Sequence, residues 1–568
     1  MKISHCIILV VLTALPFGSV CEAQTVTKQA CEQSIVTPKA TGRYLWLPIQ
    51  ENAPEGKVQV ILDGMFQMEQ NVRMARESVD YYVPLDLRPY QKGGALRVCV
   101  QNVPTGSICF SKIAQNDDVN YELITEKFRP EYHHTPMRGW MNDPNGMFYQ
   151  DGTWHLFYQF NPYGSMCRNM HWRHSTSTDL VHWKHEDVAL APDAWGTMFS
   201  GSCVVDHQGT AGQGKGSVVA MFTSSRPTPF GGDVQAQGIA YSTDGGKTFK
   251  KYAGNPVLTA EDKDFRDPKA FWNPEIQKWN LVLAVGQEMR FYSSPNLKDW
   301  TYESSFGSGY GCHDGVWECP DLMKLQVRGT DKQKWMLICN INPGGPFGGS
   351  ATQYFVGEFD GHRFTCEHQD TRWMDYGKDH YATVTFDNAP DGRHIALAWM
   401  SNWQYANQVP TMQFRSANSV ARDLDLFEYE GQTYCGVTPS KEMTAARVKG
   451  NGKLTEACEA VIDLKGSATI TLSNSKGEQV VMTYDAKKNE FSMYRTKSGV
   501  VDFSDAFPVV TTAPVYGKMK QLRLFIDKCS IEAIDAEGRM AMTNLVFPTE
   551  PYTSIKVQGG KATIYNIR

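Results

Sequence analysis

Apolar residues along most of this chain fall in short runs that alternate with polar positions and are separated by Gly, Pro, Asn and Asp. That is the two-residue period of β-strands bounded by turns. Runs such as Tyr44-Leu45-Trp46-Leu47 and Val58-Gln59-Val60-Ile61-Leu62 predict a small N-terminal β domain. From about residue 450, runs such as Ala468-Thr469-Ile470-Thr471-Leu472 and Leu522-Arg523-Leu524-Phe525-Ile526 predict a C-terminal β-sandwich. Lys487-Lys488-Asn489-Glu490 reads as a solvated hairpin turn. Ile108-Cys109-Phe110 reads as a strand facing Arg97-Val98-Cys99-Val100 across a turn at Pro104-Thr105-Gly106.

Between Pro130 and Leu426 one phrase recurs: a Ser/Thr pair, a turn, then an aromatic residue. It stands at Ser177-Thr178-Asp179 to Trp183, at Ser242-Thr243-Asp244 to Phe249 and at Ser293-Ser294-Pro295 to Trp300, with a fainter copy from Phe355 to Phe364. A spacing of roughly 50–65 residues suits four-stranded propeller blades, and about 300 residues hold five of them. The predicted fold is therefore all-β: a five-bladed β-propeller followed by a C-terminal β-sandwich, with an extra small β domain in front. The boundaries this reading draws are 1–23 for a signal peptide, 24–125, 126–430 and 431–568.

The N-terminus sharpens the picture. A lysine, an apolar stretch from Ile7 to Leu15 and a small-residue site ending at Ala23 predict a cleaved secretory signal. Export to the periplasm or beyond is expected; a lipid anchor at Cys21 fits less well because the bulky Val20 precedes it. Net charge is −5 and no run of Lys and Arg stands out, which removes the footprint of a nucleic-acid binder. No internal stretch reaches the ~20 apolar residues of a membrane span. Cys6 and Cys21 leave with the signal, so 12 of the 14 cysteines stay, too sparse for a disulfide scaffold. Cys99 and Cys109 admit either a cross-strand disulfide or two separately buried thiols.

Three acidic residues stand in unusual settings: Asp143 in Trp140-Met141-Asn142-Asp143-Pro144-Asn145-Gly146, Asp267 in Phe265-Arg266-Asp267-Pro268, and Glu318 in Val316-Trp317-Glu318-Cys319-Pro320-Asp321. The first two strings also read as plain turns. Glu318, set among Trp, Cys and Pro, is expected in an apolar pocket that raises its pKa, whereas Asp143, among amides and turn N–H groups, is expected to stay ionised. Two carboxylates biased in opposite directions suit glycosidic bond cleavage.

These motifs resemble glycoside hydrolase family 32, the invertase, inulinase and levanase group acting on β-fructofuranosides. The resemblance spans about residues 130–568 and includes Phe157-Tyr158-Gln159-Phe160-Asn161-Pro162, Met170-His171-Trp172, Phe199-Ser200-Gly201-Ser202, Ile341-Asn342-Pro343-Gly344-Gly345, Asp375-Tyr376-Gly377-Lys378-Asp379, Trp399-Met400-Ser401-Asn402-Trp403 and Thr543-Asn544-Leu545-Val546-Phe547-Pro548. It implies a propeller and sandwich, retention of configuration, Asp143 as nucleophile, Glu318 as acid/base and Asp267 as transition-state stabiliser. It implies a fructose pocket containing Asn142, Gln159, Phe199, Ser200 and Trp403. Adjacency in the chain separately suggests that Arg266 orients Asp267 and keeps it ionised. No cofactor or metal is implied.

The chain departs from the family where Cys167, Arg168 and Arg173 replace the usual Trp, Gly and Gly, and an altered leaving-group or linkage preference is expected. His171, His174, His182 and His185 do not form convergent metal ligands. Gly209 to Gly216 nearly spells a phosphate loop but lacks the Ser/Thr after Lys215 and reads as a hairpin turn. The function expected is an exported exo-acting β-fructosidase on levan, inulin or sucrose. The alternatives are an endo-acting levanase and a non-catalytic fructan-binding protein.

Overall fold

The computed structural model describes residues 25–29, 33–38, 42–90, 94–117, 124–228, 231–450 and 452–568, so the predicted signal stretch lies outside the described residues. The chain forms two compact units that divide after residue 120. The first holds a five-stranded sheet in the order Thr25–Gln29, Gln33–Thr37, Leu96–Gln101, Gly56–Leu62, Met65–Val72, and a three-stranded sheet of Tyr81–Asp86, Tyr44–Ile49 and Ala114–Asn116. Alternate residues go inward, as the pattern predicts: Val58 and Val60, Val83 and Leu85 are buried.

One element differs. Cys109–Lys112 is a short helix, not a strand. Three apolar residues are too few to separate the two periods, and the N–H groups of Ile108 and Cys109 are taken by the carbonyls of Arg76 and Ala75. Cys99 and Cys109 are buried, separate thiols.

The second unit begins with five antiparallel sheets in chain order. Their first strands are Gly139–Gln150, Thr197–Asp206, Phe265–Asn273, Val316–Gln326 and Tyr381–Thr385. Each first strand packs on the next, and the fifth packs back on the first, so the sheets are blades I to V of a closed propeller. Phe414–Arg415 pairs in parallel with Gly139 and Trp140, and Asp387 exchanges backbone hydrogen bonds with Met147 and Tyr149, closing the ring.

The recurring phrase is the turn from third to fourth strand, and side chains build it. Ser177 Oγ accepts from the N–H groups of Asp179 and Leu180, and Asp179 Oδ1 from those of Val181 and His182. Ser242 with Asp244, and Ser294 with Asn296, repeat this in blades II and III. Asp360 alone does so in blade IV. Blade V has a tight hairpin at Glu430-Gly431 instead, both at positive φ, which needs no such side chains. The strand Gln432–Pro439 completes that fifth sheet by pairing with Arg422–Tyr429, so the boundary expected at 430 falls inside a hairpin and the propeller runs to Pro439. Gly209 to Gly216 is a hairpin turn, its N–H groups at Gly209 and Ala211 held by Asp206.

In the sandwich, Cys458–Ser473 pairs through residues 458–463 with Gln521–Asp527 and through 468–473 with Gln479–Asp485, so one long strand feeds both layers. Between them lie Ile462, Ile470, Met482, Phe491, Leu524 and Met542. Two of the motifs that carry the family resemblance join sandwich to propeller. Asp375 Oδ2 accepts from Arg422 Nη1 at 2.8 Å and Thr543 Oγ1 at 2.7 Å; Asp379 accepts from Arg495, from Tyr405 OH at 2.5 Å and from Leu545 N at 2.8 Å. Gly377 lies so close to Thr543 that a Cβ there would meet its carbonyl oxygen at 1.8 Å.

Asp379 and Arg495 are both fully buried. Removing one partner leaves the other an unpaired buried charge, so Asp379→Ala should lower stability by about 3–5 kcal/mol. Chemical denaturation monitored by tryptophan fluorescence checks this, and a loss below about 1 kcal/mol, the scale of an exposed pair, would show that the ion pair does not hold the modules together.

Candidate active site

The ladder between first and second strands breaks at one level in every blade. In blade I pairing jumps from Met141–Phe160 to Pro144–Tyr158, leaving Asn142 and Asp143 opposite Gln159 alone. In blade II Ser200 is the extra residue between Phe199 and Gly201. In blades III, IV and V the extra residues are Asp267-Pro268, Cys319-Pro320 and Ala382-Thr383. A bulge bends the strand and re-aims side chains. Proline suits it because the position has no ladder partner for an N–H. The Asp-Pro strings that also read as turns are therefore bulges inside strands. Asp267, Cys319 and Ala382 have φ of 64°, 41° and 54°, the left-handed region that non-glycine residues seldom adopt.

The residues just before these three left-handed positions meet in a chain. Arg266 Nη2 donates to Glu318 Oε1 at 2.8 Å, and the Tyr381 hydroxyl donates to Glu318 Oε2. One layer over, Cys319 links the aspartates. Its N–H donates to Asp267 Oδ2 at 2.9 Å, and its thiol lies 3.4 Å from Asp143 Oδ2 and 3.6 Å from Asp267 Oδ2. Asp143 also accepts from Ser200 Oγ at 2.7 Å and Asn142 Nδ2 at 3.0 Å. Thr223 Oγ1 accepts from the Asp267 N–H at 3.0 Å. Asn142 is itself held by Trp140 Nε1 at 2.7 Å, and Trp403 stacks on Trp140.

Three expectations change here. Glu318 is not in an apolar pocket; it sits between a guanidinium and a phenol, because equivalent positions of neighbouring blades converge at the ring's centre. Arg266 is committed to Glu318 and, at 2.7 Å, to Asp264, with its Nε 3.9 Å from Asp267. Burial pushes the Asp143 carboxyl upward rather than leaving it at its ordinary value, and the nearby charge of Glu318 adds to this against the hydrogen bonds from Ser200 and Asn142. Burial drives Asp267 up to about 7, with Arg266 opposing and the charges of Glu318 and Asp143 reinforcing. The thiol of Cys319 is pushed far up by burial and by the same carboxylates, so it stays protonated.

The remaining predicted residues fall as follows. Gln159 is buried, and its Nε2 has no hydrogen-bond partner among the described residues. Facing Asn142 and Asp143, it is a donor awaiting an acceptor. Phe199, Trp403 and Cys167 are half-buried against one apolar cluster with Trp140, Cys319 and Tyr381. Cys167 feels the charges of both Asp143 and Glu318, and burial pushes its thiol up to about 12. Arg168 is exposed. Arg173 is buried over the Phe160 ring and lines a cavity of about 950 Å³ with His155, His174, Lys184 and Asp244. That cavity lies where the first strand of blade I ends, the opposite end from the carboxylates, so Arg173 is not in the site.

His174 bonds His155 at 3.0 Å, and no metal-holding cluster of His, Cys, Asp or Glu occurs among the described residues. Sequence reasoning missed Tyr381, Thr223 and the role of Cys319. Only Cys319, followed by proline like Asp143 and Asp267, carried a signal.

Residues 133–436 match the glycosyl hydrolases family 32 N-terminal domain and 432–568 the family's C-terminal domain, while 31–132 match a domain of unknown function. A levanase of Bacillus subtilis is 42% identical over 467 residues, 76% of this chain and 68% of that one. An extracellular exo-inulinase of Aspergillus niger is 37% identical, covering 76% and 91%. The crystal structure of an exo-inulinase from Aspergillus awamori superposes with a TM-score of 0.72 at 33% identity, covering 79% of this chain and 99% of that one. The chain belongs to glycoside hydrolase family 32.

Proposed function

We propose that the protein is a retaining, exo-acting β-fructosidase that releases terminal fructosyl units from levan or inulin and cleaves sucrose. What supports this is the gathering of Asp143, Asp267 and Glu318, from three blades, around one thiol and one guanidinium. Glu318 lies between Arg266 and Tyr381 and keeps an opening to solvent, while burial pushes the carboxyls of Asp143 and Asp267 upward. Glu318 gives a proton to the glycosidic oxygen as Asp143 attacks the anomeric carbon and the carbon–oxygen bond breaks, forming a covalent fructosyl ester. Glu318 then takes a proton from water, whose oxygen attacks the same carbon and frees Asp143.

Asn142, Ser200 and the Cys319 thiol aim the nucleophile. Arg266 and Tyr381 hold Glu318. Asp267 accepts hydrogen bonds from fructose hydroxyls as positive charge grows, because fructose has no hydroxyl on its anomeric carbon to serve that purpose. Gln159 Nε2 donates to a hydroxyl, and Phe199 and Trp403 form the apolar wall. Export is part of the proposal: residues 1–23 have the charge and apolar pattern of a secretory signal, a relative carries the name extracellular exo-inulinase, and no helix among the described residues is long and apolar enough to cross a membrane.

Asp143→Asn keeps the shape and removes the nucleophile, so kcat should fall on the order of 10⁴-fold with substrate binding retained; near-normal turnover would remove Asp143 from that role. On levan and inulin, chromatography should find fructose alone from the first minutes, and early oligosaccharides would overturn exo action. Cys167→Trp should change the ratio of rates on sucrose, inulin and levan severalfold. An unchanged ratio would show that this position does not govern substrate preference.

A further inference from the structure

Strands in each blade alternate in direction, so the fourth strand ends on the face where the next first strand begins. That is the face carrying Asp143, Ser200, Asp267 and Glu318, all near the starts of first strands. Residues 191–196 cross it from Lys184–Leu190 of blade I to Thr197–Asp206 of blade II, and they bear Trp195. Among the described residues it is the one tryptophan classed as exposed, at 42%.

The turn that presents it is rigid. Asp193 and Gly196 exchange backbone hydrogen bonds at 3.2 and 3.0 Å, and Asp193 Oδ1 accepts from the Trp195 N–H at 2.8 Å. Lys251 Nζ pins the turn from outside, donating to Asp193 Oδ2 and Ala191 O at 2.8 and 2.7 Å. Gly196 has φ +117°, and a Cβ there would meet Ser225 O at 2.0 Å. The Arg226 guanidinium lies over the indole, 5.6 Å from its centre. Beside the ring is a depression of about 120 Å³ lined by Ser224, Lys251, Tyr252 and Asn255 as well as Trp195.

The indole presents a large flat apolar face beside a depression edged by polar side chains, the apolar-and-polar pairing for which tryptophan is enriched at binding surfaces. An indole buries at most about 250 Å², far below the roughly 800 Å² per partner of a stable protein interface, so a protein is a poor fit. A sugar ring suits it: its C–H face lies on an indole while its hydroxyls meet Ser, Asn, Lys and Tyr. Trp195 is five residues before Ser200, hence at most about 18 Å away along the chain, within reach of an oligosaccharide whose end unit lies at Asp143.

Resting on the fructosidase reading above, we propose that Trp195 and this depression bind a fructosyl unit of a fructan chain several units from the bond being cleaved. The platform raises affinity for polymers and leaves sucrose, too short to reach it, untouched.

Kinetics of Trp195→Ala and Trp195→Phe on levan, inulin and sucrose test this, with circular dichroism confirming the fold. Loss of one ring contact predicts a KM for the polymers about fivefold to tenfold higher in Trp195→Ala, mostly restored by Phe, with sucrose unchanged. An unchanged polymer KM, or an equal rise on sucrose, would overturn the proposal. Binding without turnover separates it from the fructosidase reading: inulin should quench the fluorescence of Asp143→Asn protein, and Trp195→Phe in that background should abolish most of the quenching. Quenching that survives the second substitution counts against the platform even if the enzyme cleaves fructans.

Discussion

Five first strands meet at the axis of the propeller, and at one level each loses its register with its neighbour. A regular strand sends successive side chains to opposite faces, so an unbroken ring would alternate between packing against adjacent blades and lining the axis. The shared bulge lets consecutive residues serve both ends. Trp317 stays in the packing between blades while Glu318 reaches the centre and Cys319 turns back to bind both aspartates. The left-handed backbone at Asp267, Cys319 and Ala382 is strain of the kind that persists only where surrounding structure holds it. Here the closed ring does so, which ties the chemistry to the architecture.

The electrostatics follow from that convergence. For the two aspartates, burial and the neighbouring carboxylate charge disfavour the ionised form, and at Asp267 the Arg266 guanidinium offsets only part of this. The upward displacement of Asp143 and Asp267 is the consequence. Between propeller and sandwich the buried charges are balanced instead: Asp379 of the propeller pairs with Arg495 of the sandwich, and Arg422 of the propeller lies between Asp375 and the sandwich's Glu532, which His133 also contacts. Two groups of acidic residues that look alike in a family comparison thus have different physical tasks.

What could be read from the sequence, and what could not, divides along the same line. The blades were legible because Ser177, Asp179, Ser242, Asp244 and Asn296 build their turns with side chains, which leaves a trace in residue type. Blade V leaves none, since a Glu430-Gly431 hairpin needs only backbone. Asp143, Asp267 and Glu318 were legible through the odd strings around them, yet Asp143-Pro144-Asn145-Gly146 reads equally as a turn, because a bulge is a property of pairing between strands. Tyr381 sits in an ordinary strand sequence, and only its level in the ring brings it to Glu318. Arg266 was placed beside Asp267 by adjacency in the chain, whereas its guanidinium reaches across to the next blade. The helix at Cys109 shows the same limit in the N-terminal unit.

The central claim is that Asp143 attacks the fructosyl carbon directly, with Glu318 serving first as acid and then as base. Proton NMR of the sugar released from sucrose in the first minutes, before mutarotation, tests it most directly. The account predicts that β-fructofuranose appears first, the configuration of the substrate kept through two displacements. First appearance of the α anomer would mean a single displacement by water, and would contradict the role given to Asp143.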